Sequence, residues 1–151
     1  MMTPFESAVR GSLEGSHGGR AHVRDDHDGA TALHHYAGLN SDASSLAEFW
    51  RKVLDLGPPT GDPGWLTLEW EPVGRLSFHE VEGYRAPVWA EGSGGQQIHF
   101  DLLVEDFDAS CAQVLSAGAQ PLTDVLDPGP EAWRVFADPQ GHPFCLVSVP
   151  E

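Results

Sequence analysis

Cysteine is scarce: Cys111 and Cys145 are the only two in a chain of 151 residues. Two thiols cannot build a disulfide framework, nor can they supply the ligands of a cysteine-based zinc site. A reducing, cytoplasmic setting is therefore expected. Positive charge is scarce as well, with 8 basic side chains against 23 acidic ones and a formal net charge of −15. That balance argues against a nucleic-acid backbone or an anionic membrane as partner. No apolar run approaches the ~20 residues of a membrane span, and the N-terminus lacks the basic-then-apolar pattern of a secretion signal. What the composition describes is one domain, long enough to bury a core of its own.

Residues 1–30 mix Gly, Ser, Arg, Asp and His without periodicity and read as a disordered tail. Nothing in the sequence fixes the geometry of its histidines, His17, His22 and His27, so they read as solvated residues rather than ligands.

From Thr31 the texture changes, and it does so twice in the same order. "TALHHYAGL" reads as a strand, and Asp42 or Ser44 can cap a helix that gathers Leu46, Phe49, Trp50, Val53 and Leu54 on one face, stopped by Gly57. "GPPTGDPG" reads as a loop, and "WLTLEW" and "RLSFHEV" as strands joined by Glu71-Pro72-Val73-Gly74. The second pass opens with "QQIHFDLLV", followed by a helix capped by Asp106 or Asp108 and ending near Gly118. "AQPLTDVL" is a short strand or loop, and "AWRVFA" and "PFCLVSV" then form a hairpin across Asp138-Pro139-Gln140-Gly141, which suits a type I turn. The distance from His35 to Asp42 equals that from His99 to Asp106. Two such units, each too small to bury its own sheet face, should pack together.

These residues resemble the vicinal-oxygen-chelate superfamily. "HYAGLNSD" from His35 and "HFDLLVED" from His99 are similar to the opening strand and helix cap of its module, and "AEFW" and "ADPQGHPFCLV" resemble the glyoxalase-like subgroup of high-GC bacteria. The resemblance implies an α+β fold of two βαβββ modules, residues 31–84 and 96–150 within a domain spanning 31–150, whose mixed sheets curl into a cup. It also implies a homodimer.

Metal-dependent members place ligands on the first and last strands of each module. The resemblance puts His35 and His99 on the first strands, but Phe78 and Cys145 where carboxylates are usual. Phenylalanine cannot ligate a metal, and two imidazoles alone hold a hard cation such as Mg²⁺ poorly. Zinc could accept His35, His99 and a Cys145 thiolate. Cys145 is otherwise a small wall residue in an apolar strand, or a nucleophile if its pKa is lowered. As a wall residue it should tolerate alanine better than serine, whose hydroxyl would lack a partner.

If Glu71 pairs with Gly74 and Asp138 with Gly141, Thr67 faces Phe78, Glu69 faces Leu76, Trp65 faces Glu80 and Arg134 faces Cys145. The cup would then display Trp65, Thr67, Glu69, Phe78, Glu80, His99, Asp101, Arg134 and Cys145, with His79 turned toward the helices. Trp65, Phe78, Trp89 and Trp133 could hold a planar ligand or fill the core. The expected function is a bleomycin-resistance-like protein that binds a small organic ligand in the cup without a metal or other cofactor. The alternative is a metal-dependent lyase, isomerase or dioxygenase using His35 and His99, with Glu69, Glu80 or Cys145 as the third ligand. A third possibility is an interaction module whose cup is filled.

Overall fold

A computed structural model describes residues 35–89 and 99–149. The expected tail, with its three histidines, and the side chain of His35 lie outside the described residues.

Two four-stranded mixed sheets, each carrying one helix, make up the fold. The first module runs β1 (His35–Asn40), α1 (Ala43–Val53), β2 (Thr60–Asp62), β3 (Trp65–Trp70) and β4 (Gly74–Glu80). Its sheet order is β1-β4-β3-β2, with β1 parallel to β4. The second module repeats the plan with β5 (Phe100–Val104), α2 (Phe107–Ala117), β6 (Gln120–Pro121), β7 (Trp133–Ala137) and β8 (Pro143–Ser148), in the order β5-β8-β7-β6. The stretch "TGD", expected within a loop, forms the short edge strand β2. No helix among the described residues is long and apolar enough to cross a membrane.

Local chemistry sets the helix starts. The Asp42 and Asp106 carboxylates accept the amides of Ser45 and Ala109, each at 2.9 Å. Gly118 closes α2 in the left-handed region, while α1 ends at Val53, several residues before the expected stop at Gly57. The Gln113 side chain donates to the carbonyls of Lys52 and Val53 at 3.3 Å, so α2 satisfies orphan acceptors at the end of α1.

Both hairpin registers differ from expectation by one residue. In the first, Trp70 pairs with Gly74 and Thr67 with Ser77, leaving Glu71, Pro72 and Val73 as the loop, with a cis Glu71–Pro72 peptide. In the second, the amide of Gly141 donates to the carbonyl of Asp138 as a type I turn requires, but Asp138 then pairs with His142. Gly141 sits between them at φ +88 as an extra residue. A type I turn splays a hairpin unless such a left-handed bulge restores the twist. A Cβ at Gly141 would also meet the Ala86 Cβ at 2.7 Å.

A one-residue slip turns side chains to the opposite face. Phe78 therefore joins Leu68, Trp70 and Leu76 against α1, while Thr67, Ser77 and His79 lie on the sheet face away from the helix, where Ser77 is itself buried. In module two Arg134 pairs with Leu146 rather than Cys145, and Val135 is the cross-strand neighbour of Cys145. The two helix-bearing faces share one core, with the Trp50 ring of α1 set 5.2 Å from Phe144 and 5.7 Å from Phe100 of the second module.

Candidate functional site: a cavity between the modules

Packing helix face to helix face leaves a cavity of about 970 Å³ beside β1. Module one contributes Tyr36, Gly38, Trp50, Trp70 and Phe78, and module two contributes His99, Phe100, Asp101, Asp138 and His142. Tyr84, Arg85 and Pro87, following β4, line it as well. Aromatic rings meet here edge to face, Tyr36 with Phe100 at 5.6 Å and Trp70 with Phe100 at 6.4 Å.

The strongest polar cluster on this wall is centred on Asp138, whose residue is only 3% exposed. Its carboxylate accepts the Trp50 indole N–H at 3.1 Å, the amides of Gln140 and His142 at 2.9 and 3.0 Å, and His142 Nδ1 at 3.0 Å. His142 Nε2 lies 2.8 Å from the Leu39 carbonyl and 3.1 Å from the Tyr84 hydroxyl, which itself donates to the Gln140 carbonyl at 2.8 Å. Both ring nitrogens thus face acceptors, a geometry that favours the doubly protonated imidazolium opposite Asp138. Burial by itself would lower the pKa of His142. The hydrogen bond and charge of Asp138, with the Leu39 carbonyl, outweigh it and raise the value. Burial, with the Asp138 charge, pushes Tyr84 up to about 12, so its hydroxyl stays protonated.

A second cluster lies on β5 and β8. One ligand atom each from His99, Asp101 and Cys145 falls within 4.8 Å of the others, with His99 Nε2 at 3.2 Å from Asp101. Parallel pairing sets Asp101 beside Cys145. Burial, then the charge and hydrogen bond of Asp101, push the Cys145 thiol up to about 12. At neutral pH it is a thiol donating to a carboxylate, and a poor nucleophile. Nitrogen, oxygen and sulfur donors together suit a borderline ion such as zinc, provided the ion displaces the thiol proton.

Of the residues expected to line the cup, His99, Asp101 and Phe78 reach the cavity, Phe78 as a core residue 1% exposed. Thr67 shares a 2.7 Å hydrogen bond with Ser77, and Glu69 forms an ion pair with Arg75 at 2.9 Å. Glu80 faces α1 and accepts the Ala43 amide at 2.9 Å. Arg134 donates to the Thr123 carbonyl at 2.9 Å and lies over the Phe136 ring. His79, expected to face the helices, instead packs against Trp65, with ring centres 4.5 Å apart and the rings tilted by 43°. Ala37 pairs with Ser77 as Asp101 pairs with Cys145, so Ser77 and not Phe78 is the counterpart of Cys145.

Sequence reasoning missed Tyr84, Asp138 and His142 as a polar centre. The one local signal is the spacing in Asp-Pro-Gln-Gly-His, where the bulged turn sets the first and last residues opposite each other.

The paired βαβββ plan with mixed sheets is that of the glyoxalase, bleomycin-resistance and dioxygenase proteins. The profile of the "Glyoxalase-like domain" family matches residues 37–147, and the chain belongs to that family. Among solved structures, a glyoxalase/bleomycin resistance protein/dioxygenase family enzyme from Burkholderia phytofirmans PsJN has a TM-score of 0.60 at 13% identity, covering 76% of this chain and 96% of its own. Fosfomycin resistance protein FosX from Mesorhizobium loti has a TM-score of 0.58 at 14% identity, with 79% and 92% covered. Oxidase ChaP-H2 has a TM-score of 0.59 at 20% identity, with 80% and 94% covered. At these identities the likeness is one of fold. No curated protein matches.

Proposed function

We propose that this protein binds a small organic molecule with an aromatic or apolar body in the cavity between its modules, and does so without a metal ion. The carrying observation is the cavity itself, about 970 Å³ with Tyr36, Trp50, Trp70 and Phe100 on its walls. Ligand pockets typically run to roughly 300–1,000 Å³, with a few polar groups fixing orientation. Metal independence is supported by donor chemistry: Ser77 is the counterpart of Cys145, and the Cys145 thiol is pushed up to about 12. Tryptophan fluorescence with Trp50 and Trp70 beside the cavity gives the assay. A planar aromatic ligand should quench it saturably in metal-stripped protein, and dependence of that binding on added metal would overturn the reading.

The cluster of His99, Asp101 and Cys145 favours a second reading, a metal-dependent lyase, isomerase or dioxygenase. The three side chains would hold the ion, which when bound would polarise substrate oxygens. Stoichiometric Zn, Ni, Mn or Fe in purified protein that falls away in Asp101→Ala would select this reading.

A cytoplasmic homodimer completes the proposal. Trp65 and Leu39, 43% and 54% exposed, offer apolar surface that a second copy would cover. Sedimentation should give a dimer at micromolar concentration, and a monomer there would remove that part.

A further inference from the structure

We infer that the ligand of this cavity is an anion, an aromatic or apolar body bearing a carboxylate or a similar acidic group, and that Arg85 is the residue that selects it. The inference rests on the cavity reading above.

The cavity wall carries both acidic and basic side chains. Two carboxylates reach it, and both have partners. Asp138 pairs with His142 Nδ1 at 3.0 Å and takes three further N–H groups. Asp101 lies 3.2 Å from His99 Nε2 and beside the Cys145 thiol. Four of the five Lys and Arg side chains among the described residues also have partners. Arg51 and Lys52 pair with Glu48, Arg75 pairs with Glu69, and Arg134 is held by the Thr123 carbonyl and the Phe136 ring. Arg85 alone among them has no ion pair or hydrogen bond, and it lines the cavity.

In a chain of net charge −15, an arginine finds carboxylates readily. Here the cation without one lies exposed on the cavity wall, with its planar five-donor fork unused. An arginine fork matches a carboxylate in two parallel hydrogen bonds, stronger and more directional than neutral ones. The neighbouring Tyr84 hydroxyl and the His142 ring are committed to Gln140, Asp138 and Leu39, so they shape the wall without competing for the anion.

The test uses the full chain and a matched pair of probes, 2-naphthoate and its neutral analogue 2-naphthamide, titrated against tryptophan fluorescence and by calorimetry. The expected result is that naphthoate binds about tenfold more tightly, the difference one charge-assisted pair makes. Arg85→Gln should remove that advantage and leave naphthamide unchanged, and Arg85→Lys should restore part of it. Arg85 is exposed, so the variants test recognition rather than folding. Equal binding of both probes, unaffected by Arg85→Gln, overturns the inference and leaves the cavity reading standing. Binding of neither probe overturns the cavity reading and this inference with it.

Discussion

Trp50 donates its indole N–H to the Asp138 carboxylate at 3.1 Å, joining the helix of the first module to the β7–β8 turn of the second. Both residues are buried, at 3% exposure each, so neither has water as an alternative partner. The same ring packs on Phe144 and Phe100, and one side chain thus closes both the apolar and the polar halves of the contact between modules.

Removing the carboxylate leaves several buried donors without an acceptor. Each such group costs about 1–3 kcal/mol. Asp138→Ala should therefore lower stability by roughly 3 kcal/mol or more, measured by urea unfolding. Trp50→Phe keeps much of the ring packing and should cost less. A loss under ~1 kcal/mol for Asp138→Ala would show that the network is dispensable.

Stability should fall as the solution becomes alkaline. His142 has a raised pKa in the folded protein, so its contribution is complete below the unfolded value near 6.5 and disappears as pH climbs through the folded value. The groups facing it are Asp138, Tyr84 and the carbonyl of Leu39, and Tyr84 stays neutral across that window. The urea midpoint should drop between pH 6 and pH 9, and His142→Gln should flatten that drop. A wild-type midpoint constant across the range would refute the imidazolium assignment.

Cys145 should alkylate slowly at neutral pH with or without chelator, because its thiol is pushed up to about 12. The Asp101 carboxylate beside it reverses the expectation about substitutions. A serine hydroxyl would have Asp101 to donate to, so Cys145→Ser should be at least as stable as Cys145→Ala. Rapid labelling of the folded protein, or rapid labelling that appears only with chelator, would return Cys145 to the list of nucleophiles or ligands.

The observed register makes its own prediction about three neighbouring side chains. Phe78→Ala should cost about 3–5 kcal/mol as a core truncation. Glu80→Ala, which removes an acceptor at the start of α1, should cost about 1 kcal/mol. Thr67→Ala, on the sheet face away from α1, removes one hydrogen bond to Ser77 and should cost about as little. Equal effects at Phe78 and Thr67 would contradict the pairing of Thr67 with Ser77.

Local features were legible in the residues. The repeat from His35 to Asp42 and from His99 to Asp106 announced two copies of one unit, and the Asp42 and Asp106 caps act within three residues of their own positions. Alternation of Phe144 and Leu146 against Cys145 was equally readable, because a strand's side chains change face at every residue. The turn at Asp138 formed where its residue types required it.

Register was not legible, and one residue decided it. Gly141 enters the turn as a left-handed bulge, and the extra position carries Arg134 to the helix face. The three-residue loop before Gly74 does the same for Phe78 and Glu80. The candidate site was still further from reach, since Trp50, Tyr84, Leu39 and His142 meet only when the two modules dock. The two modules, their caps and their alternating strands could be read along the chain, because those depend on contacts a few residues apart. Tertiary structure decided which face of each sheet was buried and where the cavity lies. Burying both helix-bearing faces in one core satisfies apolar area from both halves of the chain at once, and no local pattern records that contact.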